Sequence, residues 1–199
     1  MGKLVVTEFV TLDGVFEAPG GGDFEHAGWT FQFNRGEDGD RFKLDELMAA
    51  DAQLLGRETY EGFAAAWPSM TDEVGFAARM NEMPKYVVSS QLNSAEWTNS
   101  TVISNDVAAE VTRLKARYDG DVLTAGSGTL VRSLFTEGLV DELRLMVFPV
   151  ILGSGRRLLD GVAMTTLRLT ESRPVGPDGV IVLTYSRAHG DDRTPPASP

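Results

Sequence analysis

The stretch that decides the fold is Asp-Val-Leu-Thr-Ala-Gly-Ser-Gly-Thr-Leu, residues 121–130. Its first half, 121–125, is short and mostly apolar, which predicts a buried strand. That strand runs directly into Gly126-Ser127-Gly128, and a helix is predicted from about residue 129 to 136. A strand that turns sharply into a helix is the building unit of a parallel sheet, so this stretch indicates an α/β protein.

The same alternation continues on both sides of this stretch up to about residue 140, and strands predominate after it. Pro177-Asp178-Gly179 is typical of the turn of a final hairpin. The sequence therefore predicts an α/β fold with a mixed central sheet, mostly parallel and finished by antiparallel strands at its C-terminal edge. The other predicted strands are 4–10, 53–55, 85–90, 101–103, 143–150, 166–172 and 180–185, and the other predicted helices are 40–50, 59–66 and 107–118.

A long connection follows the first predicted strand and extends from Gly14 to about Gly39. A loop of this length inside a compact domain is typical of a functional lid. Its aromatic residues argue against disorder, and they leave open a second interpretation, in which the loop packs on a neighbouring subunit. These aromatic residues are Phe16, Phe24, Trp29, Phe31 and Phe33.

The chain has 199 residues, of which 29 are acidic and 18 are lysine or arginine, so its formal net charge at pH 7 is −11. This balance argues against nucleic acid or an anionic membrane as a partner, because clustered basic side chains bind both. The absence of cysteine excludes disulfides, thiolate metal sites and a cysteine nucleophile. The only histidines are His26 and His189, so no metal site is predicted.

Residues 1–188 are predicted to form one domain, and residues 189–199 a disordered, proline-rich tail. The longest apolar stretch, 139–152, is interrupted by charges and falls short of the roughly 20 residues of a membrane-spanning helix. The N-terminal apolar run is broken at Thr7 and Glu8, so it is not typical of a targeting segment. The sequence therefore predicts a cytoplasmic protein.

Three predicted strands end in glycine, hydroxyl-bearing or basic residues, at 56–59, 89–91 and 126–129. The carboxyl ends of parallel strands lie at one edge of a sheet, so these segments are expected to share one rim. Glycine allows close approach, hydroxyls and Arg57 donate hydrogen bonds, and the N–H groups that begin a helix bind anions. The pattern favours a phosphate-rich ligand such as a dinucleotide, while a helix cap with nothing bound explains each segment singly. It is not the Rossmann fingerprint, because Val131 stands in the third glycine position.

Five motifs in order resemble the dihydrofolate reductase superfamily, and most of all the reductase domain of bifunctional riboflavin-biosynthesis deaminase-reductases and their stand-alone relatives. The resemblance covers residues 3 to about 186 and implies a three-layer, dihydrofolate-reductase-like fold. Because the chain has no cysteine and too few residues, it is expected to lack the zinc-deaminase half of the bifunctional enzymes. The motifs are T-L-D-G (11–14), L-L-G-R-E-T-Y-E (54–61), M-P-K-Y-V-V-S-S (83–90), D-V-L-T-A-G-S-G-T-L (121–130) and V-D-E-L-R-L-M-V-F-P-V-I-L-G-S-G (140–155).

The resemblance implies NADPH as the cofactor. The family's Gly-Arg-x-Thr turn falls on Gly56, Arg57 and Thr59, which would hold the 2′-phosphate and pyrophosphate of the cofactor. The serine pair beside the adenosine 2′-phosphate matches Ser89 and Ser90. The chain has Gly-Ser-Gly where dihydrofolate reductases have Gly-Gly. The glycine turn expected against the pyrophosphate and nicotinamide comprises Gly126, Ser127, Gly128, Thr129 and Leu130.

Two carboxylates are candidate catalytic residues. Asp13 ends the first strand, where riboflavin-type reductases place an aspartate that faces substrate, and it also fits a plain turn residue before Gly14. Asp40 precedes Gly56 by 16 residues, a spacing similar to that of the substrate-binding carboxylate of dihydrofolate reductases, and it also fits a helix N-cap. The apolar strands beside both would raise their pKa values, as a general acid needs.

These features predict an NADPH-dependent reductase that transfers a hydride to a small heterocyclic, pterin- or pyrimidine-like substrate, or to a carbonyl compound. The alternative is a non-catalytic NADPH-binding or sensing module. A homodimer is expected, as in the riboflavin-type relatives, with pairing through the apolar segment 143–152 and the late edge strands.

Overall fold

The computed structural model describes residues 1–188, so the predicted disordered tail lies outside the described residues. Eight strands form one sheet in the order β4-β3-β2-β5-β1-β6-β8-β7. The first six strands run parallel, and β8 and β7 complete the sheet as antiparallel strands, as predicted. The strands are β1 (Leu4–Thr11), β2 (Ala50–Gly56), β3 (Lys85–Val88), β4 (Ser100–Ile103), β5 (Asp121–Thr124), β6 (Glu142–Phe148), β7 (Leu167–Val175) and β8 (Val180–Arg187).

In the described part of the chain, five α-helices cover the two faces of this sheet. Leu47, Tyr60 and Met80, from the first three helices, pack in one hydrophobic cluster, whereas Val111 and Leu134, from the last two, pack in another. The fold is therefore the predicted three-layer α/β sandwich with the sheet in the middle. The helices are α1 (Gly36–Ala49), α2 (Arg57–Ala66), α3 (Phe76–Glu82), α4 (Val107–Arg117) and α5 (Gly128–Thr136).

The long connection after β1 packs on its own chain. It contains a 3-10 helix, Trp29–Gln32, whose Trp29 is fully buried. The rings of Trp29 and Phe33 contact the ring of Phe148 in β6, with centroids 5.3 and 5.8 Å apart. These aromatic residues thus anchor the loop to the central sheet, while Phe31 is 78% exposed.

Two elements differ from the prediction. Helix α1 begins at Gly36 rather than at Asp40, and α3 lies in a segment for which no helix was predicted. The seven-residue α3 depends on distant groups. The Asp72 carboxylate accepts the N–H groups of Phe76 and Ala77 at its start, and the Lys85 ammonium donates to its last carbonyls. Because such contacts are not a local pattern, propensity alone misses this helix.

The expectation that segment 143–152 pairs across a dimer is wrong for its strand. β6 is hydrogen-bonded to β1 on one side and to β8 on the other, so it has no free edge. Among the described residues, the edges of the sheet are β4 and β7. No helix within residues 1–188 is both long enough and apolar enough to cross a membrane.

The connections change direction between β2 and β5, which are neighbours in the sheet. Helix α2 leads from β2 to β3 over one face, whereas α5 leads from β5 to β6 over the other. This arrangement opens a crevice at the carboxyl ends of the strands, which is where ligands bind in open α/β sheets.

Candidate active site

Two glycine turns meet in this crevice. The Gly56 N–H donates a hydrogen bond to the Gly126 carbonyl oxygen at 3.2 Å. A Cβ on Gly56 would collide with the side chain of Ser127. Gly126 has φ +93°, and a Cβ there would lie 2.6 Å from the Thr59 hydroxyl oxygen. Only glycine therefore permits this contact, and the structure brings two of the three predicted rim segments together.

The meeting of these turns also brings two helix N-termini together. Helix α2 begins directly after Gly56 and α5 directly after Ser127, and neither flanking residue caps its helix with a side chain. The Gly126–Ser127 peptide bond is cis. The first N–H groups of a helix have no partner within it and carry its positive dipole end. The paired turns therefore form a site suited to an anion with more than one phosphate.

Arginines at the rim of the crevice are paired with carboxylates of this chain. The Arg57 guanidinium lies 3.3 Å from the Glu61 carboxylate, one turn along α2. Arg156 bridges Glu58, at the start of α2, and Glu17 of the long loop, at 3.0 and 2.8 Å. A phosphate that binds here would share these guanidinium groups with their carboxylates or replace the carboxylates.

The third rim segment follows β3. Ser89 is buried, and its hydroxyl oxygen accepts the N–H groups of Gln91 and Leu92, both at 3.1 Å. Both bonds use the oxygen as acceptor, so the hydroxyl proton can be donated to a phosphate. Ser90, the next residue, is exposed.

Asp13 holds two loops together. Its carboxylate accepts hydrogen bonds from the Thr11 hydroxyl at 2.6 Å and from the Gly153 N–H at 2.9 Å, and the Arg157 guanidinium lies 3.7 Å away. The Thr11 hydroxyl, helped by the backbone N–H groups of Leu152 and Gly153, holds the pKa of Asp13 below its usual value. The expected raised pKa is therefore wrong for Asp13, because hydrogen bonds to the ionised form outweigh burial.

Replacing Asp13 with asparagine will destabilise the protein at pH 7. The lowered pKa means that the folded state binds fewer protons at Asp13 than the unfolded state. This carboxylate therefore stabilises the fold above its unfolded pKa, and the contribution is lost as the pH falls. Urea unfolding from pH 7 to pH 3 will show the difference between wild type and Asp13→Asn narrowing below about pH 4. The stabilising role of the Asp13 carboxylate would be contradicted if the difference in unfolding free energy between wild type and Asp13→Asn did not change with pH. An equal loss of stability in the exposed control Asp45→Asn would contradict it as well.

Asp40 lies inside α1 and not at its N-cap, which is Arg35. Its side chain is 67% exposed, and its carboxylate pairs with the Arg35 guanidinium at 2.6 Å. The carboxylate of α1 that faces the sheet is Glu46, which is buried and accepts a hydrogen bond from the Thr7 hydroxyl at 2.9 Å. The helix thus turns Glu46, and not Asp40, toward β1.

Glu8 is a site residue that the sequence interpretation missed. It lies in β1, is only 8% exposed, and its Oε1 has no hydrogen-bond partner among the described residues. This oxygen is 3.5 Å from the position that a Cβ on Gly126 would take. Burial raises the pKa of Glu8 to about 8, an effect that Lys43 opposes and Glu46 reinforces. The sequence feature that could have identified Glu8 is a charged residue inside an otherwise apolar, buried strand.

A pocket of about 300 Å³ opens beside the crevice. Leu145 lies opposite Glu8 in the parallel β1–β6 pair, and Val10 is the next residue of β1 on the same face. The pocket is mostly apolar at its base and carries two charged residues. Its lining residues are Val10, Gly14, Leu145, Arg157, Leu158, Leu159 and Asp160. Residues 1–188 contain no group of three or more histidine or acidic side chains arranged to hold a metal ion.

This sheet order, with paired glycine turns at the crevice, defines the class of dihydrofolate-reductase-like α/β proteins. A family model confirms the assignment: residues 2–181 match the RibD C-terminal domain, and the chain belongs to that family. The protein YyaP of Bacillus subtilis (strain 168) is 29% identical over 188 residues, covering 92% of this chain and 94% of YyaP.

Solved structures share the fold. A protein from Shewanella sp. PV-4 assigned to riboflavin biosynthesis superposes with a TM-score of 0.75 at 18% identity, covering 95% of this chain and 100% of that one. Dihydrofolate reductase from Enterococcus faecalis, complexed with NADP(H) and RAB-propyl, superposes with a TM-score of 0.61 at 15% identity, covering 94% and 98%. The resemblance inferred from the five motifs is thus confirmed at the level of family and fold.

Proposed function

We propose that this protein is an NADPH-dependent reductase that transfers a hydride to a small pterin- or pyrimidine-like heterocycle or to a carbonyl compound. The observation that carries the proposal is the contact between the Gly56 and Gly126 turns, which places two helix N-termini side by side. Membership of the RibD C-terminal domain family supports it, as does the fold shared with a reductase that was solved with NADP(H).

The residues at the crevice fit such a cofactor. Its phosphates would be held by Arg57, Thr59 and the first N–H groups of α2, and by Ser89 and Ser90 beyond β3. The second turn would hold the pyrophosphate and nicotinamide through Gly126, Ser127, Gly128, Thr129 and Leu130. When bound, NADPH supplies the hydride, and the chain contributes binding, orientation and exclusion of water. The catalytic roles expected for Asp13 and Asp40 remain predictions, which turnover of Asp13→Asn and Asp40→Asn tests.

Replacing Arg57 with alanine will weaken NADPH binding by about 10- to 100-fold, because one charge-assisted hydrogen bond to a phosphate contributes about 1.5–3 kcal/mol. NADH lacks the 2′-phosphate, so its affinity will change by less than about threefold. Titration of intrinsic fluorescence with each cofactor measures both constants. Arg113→Ala is the matched control, because Arg113 pairs with Glu110 on an exposed turn of α4. Equal losses for NADPH and NADH would overturn the role of Arg57.

The alternative function is an NADPH-binding module without turnover. The observation that favours it is that both predicted catalytic carboxylates are paired with arginine, Asp13 with Arg157 and Asp40 with Arg35. NADPH oxidation against a dihydropterin, a ribosylamino-pyrimidine and an aromatic aldehyde separates the two functions. Tight NADPH binding without oxidation in all three assays would favour the binding module.

We also propose a homodimer through β7, which lies at the edge of the sheet within residues 1–188, rather than through β6. β7 is exposed along most of its length, including Leu169 at 49%. An exposed strand at the edge of a sheet is a common place for a second copy to pair. A strictly monomeric mass in solution at micromolar concentration would exclude it.

A further inference from the structure

We propose that Glu8 is the catalytic acid of this site and that the substrate it protonates binds in the pocket beyond Val10. This inference rests on the proposed reductase function and adds to it the proton donor and the substrate position. Neither role was assigned to Glu8 by the sequence pattern.

The buried Oε1 of Glu8 has no hydrogen-bond partner among residues 1–188. The buried Glu46 of α1, by contrast, accepts a hydrogen bond from the Thr7 hydroxyl and is paired with Lys43. A buried carboxyl without a partner costs stability, and such costs concentrate at functional sites. The missing partner of Glu8 is therefore expected to come from a bound molecule.

The position of Glu8 joins the crevice to the pocket. β5 ends opposite Val6, so beyond that point β1 has lost its neighbour on this side of the sheet. Glu8 is the next residue of β1 on the face of Val6, and its carboxyl reaches the Gly126 turn. The pocket begins at Val10 and Leu145, directly beyond it. A small heterocycle that fills this pocket of about 300 Å³ would contact Val10 and Leu145, the neighbours of Glu8 on the same face of the sheet.

Burial keeps the Glu8 carboxyl mostly protonated at pH 7, and the charged groups around it do not reverse this effect. Lys43 of α1 favours the charged form and Glu46 of the same helix opposes it, while burial has the largest effect. Across the pocket lie Arg157 and Asp160, of opposite charge, while Thr59 of α2 and Thr124 of β5 carry neutral hydroxyls. A carboxylic acid that keeps its proton at neutral pH is able to donate it.

The proposed reaction combines a hydride transfer with a proton transfer. The substrate carbon of a C=N or C=O bond gains a hydride from NADPH, which is oxidised, and its π-electron pair moves to the nitrogen or oxygen. The O–H bond of Glu8 breaks as its proton passes to that atom, which gives an amine or an alcohol. The Glu8 carboxylate regains a proton from solvent water before the next cycle.

The experiment compares wild type, Glu8→Gln and Glu8→Asp in NADPH oxidation with the three probe substrates named above. We expect Glu8→Gln to lower kcat by about 100- to 10,000-fold while the Kd for NADPH changes by less than about threefold. Glu8→Asp retains an acid and will recover part of the activity. In wild type, kcat will fall as the pH rises above about 8, and the residual activity of Glu8→Gln will lack this fall.

Ser100→Ala is the matched control, because the hydroxyl oxygen of Ser100, in the edge strand β4, is also buried and also has no partner among the described residues. We expect it to retain the wild-type kcat. Glu8→Gln with wild-type kcat and pH profile would overturn the role of Glu8 and leave the reductase function standing. Wild-type protein that binds NADPH but oxidises it with no probe would overturn both the reductase activity and the role of Glu8.

Discussion

Replacing Lys85 with methionine will lower the free energy of unfolding by about 3 to 5 kcal/mol. Lys85 is fully buried, and its Nζ donates to the carbonyl oxygens of Met80, Asn81 and Met83 at 3.0, 2.8 and 2.9 Å. The same Nζ lies 4.2 Å from the centre of the Trp97 ring. Methionine fills the volume but leaves three carbonyls at the end of α3 without their donor, and each such loss costs about 1–3 kcal/mol.

Urea unfolding at pH 7 measures this effect, with an unchanged dependence on urea concentration as evidence that both proteins unfold in two states. Burial lowers the pKa of Lys85 to about 8, so the amine is mostly charged under these conditions. Lys3→Met is the matched control, because Lys3 forms an ion pair with Glu142 and its side chain is 59% exposed. It is expected to cost less than about 1 kcal/mol. If Lys85→Met also loses less than about 1 kcal/mol of unfolding free energy, water molecules must take over the hydrogen bonds of the Lys85 ammonium group.

Replacing Gly126 with alanine will weaken NADPH binding on the order of 100-fold, because shifts of about 1 Å in a positioned site have effects of that size. The new Cβ would lie 2.6 Å from the Thr59 hydroxyl oxygen, so either the Thr59 side chain must turn away or the Gly126 turn must shift. The positive φ of Gly126 adds strain of about 1–2 kcal/mol. Fluorescence titration with NADPH and urea unfolding measure the two effects separately.

Gly161→Ala is the control variant that introduces backbone strain without affecting the contact between the two glycine turns. Gly161 has φ +76°, and nothing lies within 4 Å of the position of its Cβ. This variant is expected to lose stability without losing NADPH affinity. If Gly126→Ala and Gly161→Ala bind NADPH equally well, the contact between the turns does not shape the cofactor site.

The sequence was sufficient to predict the sheet and the meeting of the turns, because both follow from local patterns. Apolar runs such as 121–125, together with the glycines that follow them, mark where strands end. Because the strands are parallel, their carboxyl ends lie at the same edge of the sheet. Helix α3 was missed because Asp72 and Lys85, outside the helix, hold its two ends. The start of α1 was misplaced because Gly36 and Arg35 carry no cap signature.

The site carboxylates show where sequence patterns stop being informative. Spacing favoured Asp40, but the rotation of α1 exposes that side chain and buries Glu46 instead. Chain position favoured Asp13 as an acid, but hydrogen bonds from Thr11 and Gly153 hold it ionised. Glu8 was visible only as a break in an apolar run. Protonation depends on which atoms surround a carboxyl in three dimensions, and neither spacing nor composition reports that.

The ion pairs that Arg57 and Arg156 form at the rim explain how a chain of net charge −11 can accept a phosphorylated ligand. Before binding, each guanidinium is already neutralised by a carboxylate that belongs to the same chain. Ligand phosphates would compete with Glu61, Glu17 and Glu58 for these guanidinium donors. Selection therefore favours a molecule whose phosphates engage both helix ends and the arginines together.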